Sequence, residues 1–211
     1  MIPGWKEWRD ALCQRHGEKL QRKFETATVA VCGLGGMGSA ISIALARAGI
    51  GKLILIDFDR VDVTNLHRQQ YKADQIGMYK TEAMKQNLLE IAPYLETETH
   101  AVRITESNAE DLLGAADIIC KAFDSAEAKA MLVNLVLEKM PSKYLTAASG
   151  MAGIDSANTI KTRRIVDRFY LCGDQVSDVE NASYLLSSRV MLCAAHEAHA
   201  VLRILAEEFD A

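Results

Sequence analysis

Gly33, Gly35, Gly36 and Gly38 follow directly on the apolar run Val29–Cys32, and Asp57, Asp59, Asn65, Arg68, Gln69, Lys80 and Asp124 come after them. Together these residue types can handle a nucleotide. Glycines carry no Cβ, so backbone can approach a phosphate closely. A helix opening behind them presents free N–H groups and the positive end of its dipole to an anion. A carboxylate about twenty residues beyond such a loop, here Asp57, is placed to accept ribose hydroxyls. Dinucleotides and nucleoside triphosphates both carry that ribose, so Asp57 alone does not separate them. Arg68 and Lys80 favour the triphosphate, because its attacked phosphorus gains charge in the transition state and fixed cations stabilise that charge. Asp124 is a candidate ligand for Mg²⁺, which prefers one or two carboxylates plus phosphate oxygens.

These residues need a frame that brings them to one edge. Strand, helix and strand are predicted over roughly 27–57, and further strands near 97–104, 116–122 and 144–148 alternate with helices over 74–92, 109–113 and 126–139. That alternation predicts an α/β fold: a Rossmann-like, mostly parallel sheet with helices on both faces. Short strands over 159–164 and 168–171 read as a small antiparallel extension, and 184–209 as a long Ala- and Leu-rich helix. Residues 1–24 form a helical arm anchored by Trp5, Trp8, Leu12, Leu20 and Phe24. In an open parallel sheet, ligands bind outside the carboxyl ends of the strands. The polar residues above all lie just after predicted strands.

At 211 residues the chain reads as one domain, 1–211. The net charge of −4 with no basic run argues against nucleic-acid or anionic-membrane binding. No apolar run is long enough to span a bilayer, and the polar N-terminus is not a leader. Cys13, Cys32, Cys120, Cys172 and Cys193 are scattered with no C-x-x-C pair, so no zinc site is expected and a reducing, cytoplasmic setting is.

The strings GLGGMGS, DFDRV, Asn65-Leu66-His67-Arg68-Gln69 and Gly77-x-x-Lys80, with the ending GDQVSDVEN…SSRVMLCAAHEAHAVLRILAEE, resemble the adenylation domain of the ubiquitin-activating superfamily, and most of all its short ThiF-like members. That resemblance implies an ATP- and Mg²⁺-dependent adenylyltransferase. Its substrate would be the C-terminal glycine of a small ubiquitin-fold sulfur carrier ending in Gly-Gly, such as the ThiS carrier of thiamine biosynthesis. It implies that Asp57 holds the ribose, that Asn65, Arg68 and Lys80 bind phosphates, and that Asp124 positions Mg²⁺. It further implies a homodimer in which Arg15 of one protomer enters the other's site. Longer relatives bind a structural zinc through two C-x-x-C pairs, absent here, and use a late-loop cysteine, for which Cys172 is the nearest counterpart. On that basis the chain is expected to stop at the acyl-adenylate. A molybdopterin-type carrier or another Gly-ended peptide is the alternative substrate, and an NAD(P)-dependent oxidoreductase the alternative class.

Overall fold

The computed structural model describes residues 1–123, 126–178, 182 and 184–210; within 126–139 the side chains of residues 126, 127 and 129 are outside the description. Two helices open the chain, α1 (Trp5–His16) and α2 (Glu18–Glu25). There follow β1 (Thr28–Cys32), α3 (Gly36–Ala48), β2 (Lys52–Ile56), α4 (Lys80–Ile91), β3 (Glu96–His100), α5 (Ala109–Leu113), β4 (Ile118–Lys121), α6 (Ala126–Lys139), β5 (Tyr144–Ala148), β6 (Lys161–Val166), β7 (Phe169–Gly173) and α7 (Ser187–Leu205). The strands form a single seven-stranded sheet in the order β3-β2-β1-β4-β5-β7-β6. Every neighbouring pair is parallel except β6 with β7. The expected α/β class and its small antiparallel extension are both present.

Alternating side chains feed two cores, as the two-residue period of a strand requires. Val29, Val31, Leu53, Leu55, Cys120 and Cys172 face one side and pack on Ile41 and Leu45 of α3, Met84 and Leu88 of α4, and Cys193, Ala198 and Val201 of α7. Ala30, Cys32, Ile54, Ile56, Ile119 and Leu145 face the other and pack on Ala109 and Leu113 of α5 and Leu132, Leu135 and Val136 of α6. Strands covered on both faces read as near-continuous apolar runs, which is why Val29–Cys32 and Leu53–Ile56 stand out in the sequence.

Several boundaries differ from expectation: β3 ends at His100 and not at 104, and α7 spans Ser187–Leu205 and not 184–209. The arm is broken at Gly17, whose φ of 83° lies where only glycine is unstrained. The helix expected from residue 74 starts at Lys80. Before it lies only one 3₁₀ turn, Ala73–Gln75, because Gly77 takes a φ of 89° and breaks any continuous helix. Gln75 is buried there and bonds Asn87 and the carbonyl of Ala83, pinning the loop to α4. Among the described residues, no helix is long and apolar enough to cross a membrane.

Candidate nucleotide site

The strand order reverses between β1 and β4, and the crevice outside such a switch point is where open α/β sheets bind ligands. A cavity of about 240 Å³ lies there. Gly33 and Gly35 line it from the exit of β1, Asp57, Phe58 and Asp59 from the exit of β2, Val102, Arg103 and Ile104 from beyond β3, Ala122 and Phe123 from the exit of β4, and Lys80 from the start of α4.

The glycine loop is shaped by contact within the protein. Gly33 has a φ of 92°, and a Cβ there would lie 2.9 Å from the Phe123 backbone nitrogen. A Cβ on Gly38 would lie 1.8 Å from the Gly33 carbonyl oxygen. Helix α3 therefore sits as close to β1 as backbone permits, which aims its first turn at the cavity.

Asp57 is buried, and burial pushes its carboxyl up while the Lys80 charge pulls it back. It accepts hydrogen bonds from the backbone N–H of Leu34 at 2.6 Å and of Asp59 at 2.7 Å. It thus ties the glycine loop to the end of β2, with lone pairs left for a hydroxyl. Lys80 is 5% exposed, a rare environment for lysine. Its Nζ donates to Asp59 Oδ2 at 2.8 Å and lies 3.9 Å from Asp57 Oδ2. Two carboxylates and one cation are thus held together in the cavity.

Of the residues singled out in the sequence, Gly33, Gly35, Asp57, Asp59 and Lys80 line this cavity together. Gly36 and Gly38 lie behind the loop, in the first turn of α3. Asn65, Arg68 and Gln69 sit beside it, not in its lining. The Arg68 guanidinium donates to the Thr64 carbonyl at 3.4 Å and to His67 at 3.3 Å, and its backbone carbonyl packs on Gly36. Asn65 donates to Thr64 Oγ1. Gln69 is buried against Gly35, and among the described residues its Oε1 has no hydrogen-bond partner. Ser39 Oγ accepts from the Gln70 N–H, and the Tyr71 hydroxyl donates to the Leu34 carbonyl. The whole 65–71 segment is thereby moored to the glycine loop. Asp124 lies outside the described residues.

Arg15 is on the last turn of α1. That helix packs at the opposite rim of the sheet: Leu12 approaches Gly49 just before β2, and the Tyr94 hydroxyl, just before β3, donates to the Pro3 carbonyl. A five-residue strand spans ~17 Å, so Arg15 does not reach the cavity of its own chain.

Cys172 is on β7, not on a loop, and is fully buried. Burial, followed by the nearby Glu197 carboxylate, pushes its thiol up to about 12. Asp174, two residues on, accepts from the backbone of Val176 and Ser177 and from Arg189. In the loop after β5, Gly150 packs closely on its own protein, where a Cβ would meet Asp174 Oδ1 at 1.9 Å.

Phe58, Val102, Arg103, Ile104 and Phe123 were missed as site residues. The signal was available: each lies within four residues of a strand's carboxyl end, but apolar walls and a lone exposed arginine carry no distinctive spacing.

The ThiF family profile matches residues 8–207. The chain belongs to the ThiF family. Ubiquitin-like modifier-activating enzyme 5 of Caenorhabditis elegans is 37% identical over 129 residues, 56% of this chain and 30% of that protein. Adenylyltransferase and sulfurtransferase MOCS3 of Aedes aegypti is 34% identical over 135 residues, 63% of this chain and 31% of that protein. The chain thus spans under a third of the length of these curated relatives. The tRNA N6-threonylcarbamoyladenosine dehydratase TcdA of E. coli, solved in complex with AMP, superposes with a TM-score of 0.87 at 21% identity, covering 99% of each chain. That likeness establishes the ThiF fold over the full length. The family read from the sequence agrees with these matches.

Proposed function

We propose that this ThiF-family chain uses ATP to adenylate the C-terminal glycine of a small ubiquitin-fold carrier protein ending in Gly-Gly, releasing pyrophosphate. The observation that carries the reading is the joining of the glycine loop, Asp57, Asp59 and buried Lys80 in one cavity at the switch point of the sheet. The residues fit a nucleotide. Even a Cβ on Gly35 would find its nearest neighbour, Gln69 Nε2, only at 3.9 Å, so the loop has room for a phosphate. Apolar walls at the far end suit a base. The orphaned Gln69 Oε1 lies next to that loop.

A carrier's carboxylate oxygen attacks the α-phosphorus, an O–P bond forms, and the P–O bond to the β-phosphate breaks. No general base is required, because a C-terminal carboxyl is ionised well above its pKa of about 3.5. The protein's part is orientation and charge neutralisation. Lys80 faces the developing phosphate charge, and Asp57 and Asp59 accept the ribose hydroxyls. Asn65, Arg68 and Gln69 complete the phosphate side from the moored segment. Asp124 would hold Mg²⁺, which would supply further charge neutralisation on the triphosphate. The carrier favoured is the ThiS type of thiamine biosynthesis. With Cys172 and three further thiols buried, the reaction ends at the acyl-adenylate and a separate donor provides sulfur.

ATP–pyrophosphate exchange should appear on adding a Gly-Gly-ended ThiS-type carrier and be lost when the carrier lacks its last two residues. Exchange with neither a ThiS-type nor a molybdopterin-type carrier would remove the carrier assignment. The protein is further proposed to act as a homodimer with Arg15 reaching the partner's cavity; exposed Ile2 and Trp5 leave the arm an apolar face for that contact. Mixing Arg15→Ala with Lys80→Met protomers should then restore up to about a quarter of the exchange, because one site in each mixed dimer is intact. No recovery after confirmed subunit exchange would refute the trans role.

A further inference from the structure

Phe58 and Arg103 line the cavity but have no part in the chemistry above. The sheet order says which end of a nucleotide they would meet. Phosphates belong over the glycine loop at the exit of β1, and the ribose over Asp57 and Asp59 at the exit of β2. The next strand outward is β3, and beyond its exit come Val102, Arg103 and Ile104. This is the base end.

The Arg103 Cζ sits 4.1 Å from the centroid of the Phe58 ring. Arg60 has the carbonyl of Gly77, Arg68 that of Thr64, and Lys80 has Asp59. Among the described residues, the Arg103 guanidinium has no hydrogen-bond or ion-pair partner; its ring contact is what places it. Both side chains are exposed at the cavity mouth. Phe58, Val102, Arg103 and Ile104 offer no side-chain acceptor for an exocyclic amine, so a base here is held by area and stacking. A planar, delocalised cation that stacks on one π surface can stack on a second with its other face.

We infer that Arg103, backed by Phe58, is a base-binding residue whose guanidinium stacks on the purine of the bound nucleotide. The inference rests on the nucleotide reading of the same cavity. It makes Arg103 a contributor to affinity through the base and not through the phosphates. It also makes a purine the favoured base, because the larger ring covers more of the guanidinium.

Calorimetric titration of the full chain with ATP, CTP and inorganic tripolyphosphate tests this. Arg103→Ala should weaken ATP binding roughly tenfold, weaken CTP less, and leave tripolyphosphate within about twofold of the wild type. Arg103→Lys, which keeps the charge and loses the plane, should recover little of the ATP affinity. Phe58→Ala should weaken ATP in the same direction by removing the backing ring. An equal loss for ATP and tripolyphosphate would make Arg103 a phosphate-attracting cation and overturn the inference, as would unchanged ATP affinity in Arg103→Ala or full recovery in Arg103→Lys. A wild-type chain that binds tripolyphosphate and no nucleotide would instead overturn the nucleotide reading on which it rests.

Discussion

Replacing Lys80 with Met should lower carrier-dependent ATP–pyrophosphate exchange by roughly 10²- to 10³-fold, the usual cost of removing a fixed, desolvated charge beside a reacting phosphate. Lys80 is the cation that the fold buries most deeply in the cavity, with Nζ held 2.8 Å from Asp59. A surface lysine would be screened by water and salt; this one is not. The substitution also leaves Asp57, already pushed toward its neutral form by burial, without its nearest positive charge. Some loss of stability should therefore accompany the loss of exchange. Pairing Lys80→Met with Asp59→Asn separates the two effects. Removing the carboxylate that Lys80 had paired, a like charge beside Asp57, should return part of the melting temperature but none of the exchange. If Lys80→Met alone kept full exchange, Lys80 would have no role in catalysis.

Where chemistry imposes a residue type at a fixed place, the sequence was legible. The glycine loop had to lie between a strand and a helix, and it does. Asp57 had to end the second strand, and Lys80 opens α4. The carboxyl-end rule therefore brings Asp57 and Asp59 to one cavity, and the start of α4 adds Lys80. What escaped falls into two kinds. Helix periodicity ran through Gly77 because the apolar spacing continues across it, while the positive φ that stops the helix is a tertiary choice. The base end escaped because apolar and stacking contacts leave no distinctive spacing. Arg103 reads in sequence as one more surface cation, and only its placement on Phe58 marks it. Cys172 was misplaced for a related reason: the strand β7 runs one residue beyond it, and burial against α7 cannot be read from its neighbours in sequence.

The glycine loop offers the sharpest structural test, because two of its glycines are tight for different reasons. Gly38→Ala would place a Cβ 1.8 Å from the Gly33 carbonyl oxygen and 3.2 Å from the Ala122 Cβ. Both partners are fixed: the first is backbone in the turn that leaves β1, the second a side chain with no rotamer to change. Relief requires α3 to move off the sheet, which would open its packing on β1 and α7 together. A loss of about 3–5 kcal/mol is expected, the upper range for overpacking and backbone displacement. Gly36→Ala is the control. Its Cβ would meet Val190 Cγ1 at 2.9 Å and the Arg68 carbonyl at 3.4 Å. A valine methyl on α7 can yield by a small shift, and alanine raises helix propensity at a position already inside α3. The net cost there should stay near 1 kcal/mol. Urea unfolding of the two variants side by side measures the difference. The ranking matters more than either value, because it follows from backbone against side chain as the obstacle. Equal losses, or a larger loss in Gly36→Ala, would show that the close approach of α3 to β1 is not what Gly38 provides. If the ranking holds, nucleotide affinity should follow it, since the helix displaced in Gly38→Ala is the one proposed to point its first turn at the phosphates.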